Sequence, residues 1–252
     1  MTEETRIALV TGANQGIGLQ IAKDLAARGL TVLLGSRDLG RGKTAAQSVT
    51  GNVHAIQLDV TDDASIRAAV AQVEETFGRL DILINNAAIS RANSLESESM
   101  QDYTKRSRAT LISVDEVRTI WETNVFGVLA VTQAFVPLLR KSRAARIVNV
   151  SSGLGSLTTM STANPYRAIF NPGYAASKTA LNAITIAFAI DLEDGGIKVN
   201  AVTPGFTSTA LNNYEGTETV EQGAAEAVRV ALLGSEGPTG TFTASISEEL
   251  PW

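Results

Sequence analysis

Tyr174 and Lys178 stand four residues apart in the run Tyr-Ala-Ala-Ser-Lys, and on a helix that spacing puts both side chains on one face. An ammonium beside a phenol favours phenolate and lowers the tyrosine from its reference pKa of about 10. A tyrosine tuned in this way exchanges protons near neutral pH, where general acid–base catalysis is most effective. Ser152 and Asn124 add further polar groups, and a glycine-rich run, TGANQGIG, fills residues 11–18. Each motif taken alone has a plain structural reading, such as a turn-forming serine or a polar residue within a helix. Together they point to a cofactor and a proton donor sharing one site.

The glycines fall between a β-branched run at 6–10 and a helical run that starts at 16. Glycine there permits a tight turn and a close approach of backbone N–H groups to a pyrophosphate, and the helix N-terminus adds partial positive charge. The spacing is Gly-x-x-x-Gly-x-Gly rather than the commoner Gly-x-Gly-x-x-Gly. Gly12, Asn14, Gln15, Gly16, Ile17 and Gly18 are the candidate contacts. The next strand ends Gly35-Ser36-Arg37-Asp38. An acidic residue at that tip accepts from a ribose 2′-hydroxyl, whereas an arginine accommodates a 2′-phosphate. Ser36 and Arg37 hold the tip, which favours NADP(H) over NAD. In the alternative, Arg37 is a surface residue and Asp38 is the ribose acceptor. Asp59 and Val60 end the third strand, and Asp59 either bonds the adenine amino group or caps the helix starting near Asp62. Asn86 and Ala87 follow the fourth strand, where an asparagine can bond both the sheet edge and the cofactor.

Elements that would position these residues alternate from end to end. Strands are expected at 6–10, 31–34, 53–58, 82–84, 146–150 and 198–202, with 241–243 as a possible last one. None alternates strictly between polar and apolar, as expected when a parallel sheet is covered on both faces. Helices are expected at 16–28, 39–49, 62–77, 114–139, 173–194 and 220–233. That order predicts an α/β fold, a single-domain Rossmann-type doubly wound parallel sheet with helices on both faces, over residues 1–252. Two stretches, 90–113 and 154–172, interrupt the rhythm after strand ends, where ligands bind in such sheets. They are expected to form the substrate pocket, with Leu154, Tyr166 and Phe170 in its wall.

Composition narrows the function further. The chain has 252 residues, a formal charge of −5, one histidine and no cysteine. Disulfides, thiolate catalysis and cysteine-based zinc sites are excluded, and no metal site is expected. The acidic balance argues against nucleic-acid binding. The start lacks the pattern of a signal peptide, and the most apolar helix, near 180–190, is too short for a bilayer. A cytoplasmic protein with no membrane partner is the expectation. Two basic clusters, Lys105, Arg106 and Arg108, then Arg140, Lys141, Arg143 and Arg146, read as solvated surface. His54 reads as structural, and the sequon Asn149-Val150-Ser151 as an unmodified core strand.

The ordered set TGANQGIG, Asn85-Asn86-Ala87, Asn124, Ser152 and Tyr174-x-x-x-Lys178 resembles the short-chain dehydrogenase/reductase family. The stretches LDVTDDASI, VNVSS and GPTGTF look like its carbonyl-reductase-like branch. The resemblance implies that Tyr174 is the general acid for carbonyl reduction, or the base for alcohol oxidation. Lys178 would lower its pKa and bond the nicotinamide ribose, Ser152 would steady the substrate oxygen, and Asn124 would hold a water linking Lys178 to solvent. Pro204, Gly205 and Thr207 would meet the nicotinamide carboxamide, with the following stretch, 209–218, as a lid. Ala88 stands where the family usually has glycine. The implied activity is an NADPH-dependent carbonyl reductase acting on a small hydrophobic ketone or aldehyde; the alternatives are an alcohol dehydrogenase running the other way and a non-catalytic NADP(H) sensor. Family members often associate through the helices at 173–194 and 114–139, which leaves two outcomes open: a homo-oligomer, dimer or tetramer, or a surface covered by the interrupting stretches.

Overall fold

The computed structural model describes residues 5–92, 98–244 and 248–252; residues 93–97, within the first interrupting stretch, lie outside it. Seven strands form one parallel sheet: β1 Ile7–Val10, β2 Thr31–Ser36, β3 Val53–Gln57, β4 Ile82–Asn85, β5 Arg146–Val150, β6 Lys198–Val202 and β7 Phe242–Thr243. Their order is β3-β2-β1-β4-β5-β6-β7. The chain builds outward from β1 in one direction, then returns to start again at β4. The crevice outside the C-terminal ends of β1 and β4 is therefore the switch point where such sheets bind ligands.

Successive strand residues point to opposite faces, and here both faces are apolar. Ile7, Leu9, Leu33, Leu83 and Ile147 pack with α3 (Asp63–Phe77), α6 (Gly127–Leu139) and α8 (Tyr174–Asp191). Ala8, Val10, Val32, Ile84 and Val148 pack with α1 (Gly16–Ala27), α2 (Leu39–Gln47) and α9 (Val220–Ala231). This explains the missing polar alternation in the strands.

The helix expected at 114–139 is broken into α5 (Val114–Trp121), a π-helical turn (Glu122–Phe126) and α6. A wider turn of this kind is frequent at functional sites, and it contains Asn124. A Cβ on Gly127 would lie 2.8 Å from the Val60 carbonyl oxygen, so the chain passes close to the end of β3 at this point. Residues 114–139, unlike 180–190, are also long and apolar enough to cross a bilayer by length and composition. Half of the apolar window is buried, and Val131, Phe135, Leu138 and Leu139 belong to the core beside the sheet.

Both interrupting stretches contain helices. The first holds α4 (Met100–Arg106), where the Ser99 hydroxyl accepts from the Asp102 N–H at 3.1 Å. The second holds a 3₁₀ turn (Gly153–Gly155), α7 (Leu157–Ser161) and another 3₁₀ turn (Pro165–Ile169). Two of the basic residues are engaged within the fold. Arg106 pairs with Glu98 and Glu116 and lies 4.7 Å over the Tyr103 ring. Arg146 is 1% exposed and donates to the Leu233 and Gly234 carbonyls just beyond α9. A cation satisfying helix-end carbonyls is favoured by the helix dipole.

Candidate active site

The turn from β1 into α1 is held by side chains from the end of β4. Thr11 Oγ1 accepts from the backbone N–H groups of Asn86 and Ala87, both at 3.0 Å. The Asn86 amide donates to the carbonyls of Thr11 (2.9 Å) and Gly12 (3.1 Å). Gly12 has φ +62°, and a Cβ there would lie 2.9 Å from Ala87 Cα. At Gly18 a Cβ would meet the Asn86 amide nitrogen at 2.4 Å. Neither glycine tolerates a side chain, because two backbone segments are pressed together.

What that turn leaves open is the start of α1. The first residue outside it, Gln15, makes no side-chain cap, and the first turn holds no acidic residue. By contrast, α2, α3, α4, α5, α7 and α9 begin at Asp38, Asp62, Ser99, Ser113, Ser156 and Thr219, each with a side chain accepting a helix N–H. The N–H groups of α1 face a cleft of about 760 Å³ lined by Gly12, Asn14, Gln15, Gly16, Ile17 and Gly18. That volume is within the roughly 300–1,000 Å³ of small-molecule and cofactor sites. Arg91 also lines it: one guanidinium nitrogen bonds Asn213 Oδ1, and Nη1 is buried without a partner among the described residues. Bare helix N–H groups and a buried cationic nitrogen fit a polyanionic dinucleotide.

The far end of the cleft receives Ser36, Arg37, Asp38, Asp59 and Val60. Ser36 is buried, its hydroxyl donating to the Asp38 carbonyl at 2.8 Å. Arg37 is exposed at the tip. The Asp38 carboxylate accepts from the Arg41 N–H at 3.0 Å and faces its guanidinium at 3.8 Å. Asp38 is thus already occupied as a cap, and Arg37 has no such commitment among the bonds described. Asp59 does not cap α3: Asp62 does, accepting from the Ala64 N–H at 2.8 Å. The Asp59 carboxylate instead accepts from the N–H and hydroxyl of Thr61 at 3.0 and 2.8 Å.

At the opposite end, α8 brings Tyr174 and Lys178 into the same cleft. Ser151, just beyond β5, is buried and its hydroxyl donates to Asn182 Oδ1 at 2.6 Å. Ser152 is half-buried; its oxygen accepts from the Leu154 N–H at 3.2 Å, and its hydroxyl interacts with the Tyr174 phenol. Of the two serines, Ser152 is the one turned toward the phenol.

The expected acidification of Tyr174 is absent from the free protein. Burial pushes the phenol up to about 12, with Ser152 opposing, and pushes the Lys178 amine down to about 7. Each group has lost water, and desolvation disfavours whichever form is charged. Lys178 is 5.7 Å from the centre of the Tyr174 ring and donates to the Val150 carbonyl at 2.8 Å. Tyr174 therefore carries its proton at neutral pH, the state required of a general acid.

Asn124 is fully buried, and its amide donates to the Ile89 carbonyl (2.9 Å) and to Ser177 Oγ (3.0 Å). Its oxygen accepts from the Ile89 N–H at 2.9 Å. Both amide hydrogens are committed, so the side chain braces the segment after β4 against α8.

After β6, Pro204 lines the cleft but Gly205 and Thr207 do not. The Thr207 hydroxyl is occupied, donating to the Pro204 carbonyl at 2.8 Å. Ser208, Thr209, Ala210, Leu211 and Tyr214 line the cleft in their place. The Ser90 hydroxyl donates to the Leu211 carbonyl at 2.6 Å, which ties the strip 208–214 to the segment after β4. Ala88 lines the cleft as well. Leu154, Tyr166 and Phe170 do not, and Tyr166 is 58% exposed. His54 bonds Asn52 at 2.8 Å and packs edge-on against Phe77. Asn149 is fully buried in β5, its amide donating to Thr185. Among the described residues no cluster of metal-ligating side chains occurs.

Comparison with known proteins identifies relatives of this chain and of its fold. The short chain dehydrogenase family profile matches residues 6–220. A short-chain dehydrogenase, anuI, of Penicillium roqueforti is 38% identical over 96% of this chain and 94% of its own. A (+)-neomenthol dehydrogenase of Arabidopsis thaliana is 34% identical over 96% of this chain and 97% of its own. The solved structure of salutaridine reductase from Papaver somniferum superposes with a TM-score of 0.79 at 30% identity, covering 94% of this chain and 99% of that one.

Proposed function

The chain belongs to the short-chain dehydrogenase family, and on that premise we propose that it is an NADPH-dependent carbonyl reductase in which Tyr174 protonates the substrate oxygen. One juxtaposition carries the reading: a protonated Tyr174, half-buried and facing Ser152, lines the same cleft as the uncapped start of α1. The names of the relatives, a neomenthol dehydrogenase and a salutaridine reductase, support chemistry at a ring ketone or secondary alcohol.

A reduced nicotinamide supplies the hydride in this chemistry; the protein supplies position and a proton. The N–H groups of α1 hold the pyrophosphate, and Arg37 meets the 2′-phosphate because Asp38 is engaged as a helix cap. Ser152 donates toward the substrate oxygen and steadies the charge that develops there, an oxyanion-type role. Tyr174 releases its proton to that oxygen. In the free protein burial works against this release. Protonated Lys178 on the same helix face lowers the cost by favouring phenolate as the proton leaves. Asn124 keeps the segment after β4 tied to α8 while this happens. Arg37 tilts the enzyme toward NADPH and thus toward reduction of a small hydrophobic ketone or aldehyde in the cytoplasm, with the protein assembled as a homo-oligomer.

The test is consumption of NADPH or NADH by the purified protein with a panel of ketones and aldehydes graded from small and polar to bulky and apolar. Oxidation of NADPH with at least one bulky apolar carbonyl, and much weaker use of NADH, is expected. Folded protein that consumes neither cofactor with any carbonyl would refute the reading.

A further inference from the structure

Ser152 is followed by a tight 3₁₀ turn, and that turn is gripped from three directions. The Gly153 N–H donates to Thr203 Oγ1 at 3.1 Å, beside the end of β6. At Gly155, the carbonyl accepts from the Asn182 amide at 3.3 Å, and a Cβ would lie 2.9 Å from the Lys178 backbone. The third grip comes from the far end of the sequence. The buried Ser156 hydroxyl donates to the Pro251 carbonyl at 2.6 Å, and the Thr158 N–H donates to the Trp252 carbonyl at 3.0 Å.

The segment 248–252 is itself firmly seated. It folds back along β7: the Leu250 N–H donates to the Phe242 carbonyl at 2.8 Å, Glu249 bridges Thr243, and the Trp252 ring stacks on Phe242 at 5.5 Å. Phe242 is buried in the sheet. Displacement of Trp252 would therefore be felt first at Ser156 and α7, then through the three-residue turn at Ser152.

We propose that Pro251 and Trp252 are positioning residues for the carbonyl end of the cleft: docked on Phe242, they hold the turn after Ser152 and the helix α7, and so set the fit of the substrate without touching the cofactor. The proposal rests on the carbonyl-reductase reading for its kinetic part and on the bonds alone for its structural part. A misplacement of catalytic groups by about 1 Å, caused from outside the site, can cost on the order of a hundredfold in rate. Removal of the stack is expected to act through that geometry.

The experiment compares Trp252→Ala, Trp252→Phe and Ser156→Ala in the full chain with the wild type, using three readouts. These are kcat and KM for a carbonyl that the wild type reduces, NADPH affinity by fluorescence, and amide exchange across 153–161 and 16–27. For Trp252→Ala we expect kcat/KM to fall at least about tenfold, NADPH affinity to stay within twofold, and exchange to quicken in 153–161 but not in 16–27. Trp252→Phe keeps a stacking ring and should restore most of the loss. Ser156→Ala removes the bond to Pro251 together with the cap of α7 but leaves the Trp252 stack in place, so it serves where Trp252→Ala does not fold, and it should show the same pattern at smaller amplitude. Unchanged kinetics with quickened exchange would overturn the proposal, as would NADPH affinity falling in parallel with kcat/KM. If the wild type reduces no carbonyl, the functional reading fails. The exchange arm still decides the structural part, which is wrong if exchange in 153–161 does not change.

Discussion

The two ends of the cleft are built differently. At the cofactor end the wall beside the start of α1 is backbone: the turn of residues 11–18 is pressed onto the end of β4, with Thr11 and Asn86 bonding peptide groups, and only the tip beyond it, at Arg37 and Asp38, is side chain. At the carbonyl end the walls are side chains drawn from α8, from Ser151 just beyond β5 and from the strip 208–214. Residues as far apart as Ser156 and Pro251 meet to hold them. Backbone walls cannot be edited by substitution without breaking the turn. Side-chain walls can be altered in size and polarity while the sheet stays intact. Such an arrangement keeps the cofactor constant and lets the substrate vary, in keeping with the principle that function resides in sites grafted onto a common fold.

Substitutions at the two ends should therefore fail in different ways. The largest effect is expected from Tyr174→Phe at the carbonyl end. Turnover should fall by roughly 10²–10⁴, the usual worth of a general acid, while NADPH affinity stays within twofold; wild-type turnover would erase the distinction. At the other end, Gly18→Ala places a methyl group 2.4 Å from the Asn86 amide nitrogen. An overpacked site of this kind costs about 1–3 kcal/mol. NADPH affinity should weaken by up to about a hundredfold, checked by fluorescence titration, with the Tyr174 environment unaltered.

A smaller effect sharpens the comparison within the cofactor end. Arg37→Ala should weaken NADPH by roughly tenfold or more, the scale of a charge-assisted hydrogen bond, and leave NADH affinity unchanged. Equal losses for both cofactors would return the tip to Asp38. The smallest effect is on stability. Lys178 titrates near 7 when folded, against an ordinary 10.5. Below about pH 7 both folded and unfolded chains carry its charge, and the folded chain bears the full cost of burying it. Between about 7 and 10.5 only the unfolded chain holds the proton, so this residue's contribution to stability rises with pH. Lys178→Met should thus raise Tm at about pH 6 by a few degrees, on the scale of ~2–4 °C per kcal/mol for a chain this size, and the gain should shrink by about pH 9. A gain that grows with pH would contradict the burial of a charged amine.

The same contrast explains what the sequence revealed. The glycine turn, Arg37 beside a helix cap, and the Tyr174–Lys178 pair are encoded by residues within a few positions of one another, where spacing on a turn or helix is readable. Ser99 and Ser113, each capping a helix, are equally local signals that pass unnoticed inside a polar stretch. The missing parts depend on distant partners. Arg106 and Arg146 look like solvated charges until Glu98, Glu116 and the carbonyls after α9 are placed beside them. The π turn at Asn124 keeps the apolar periodicity of a plain helix, so nothing in the pattern marks it. The raised pKa of Tyr174 follows from burial, which spacing to Lys178 does not report.

The most direct test of the central claim, that cofactor and carbonyl share one cleft beside Tyr174, is to follow deuterium from NADPH carrying deuterium at both C4 positions into the product of a carbonyl that the protein reduces. The account predicts an alcohol carrying the label at the former carbonyl carbon in one stereochemical configuration. An unlabelled alcohol, or label distributed equally between both configurations, would contradict it.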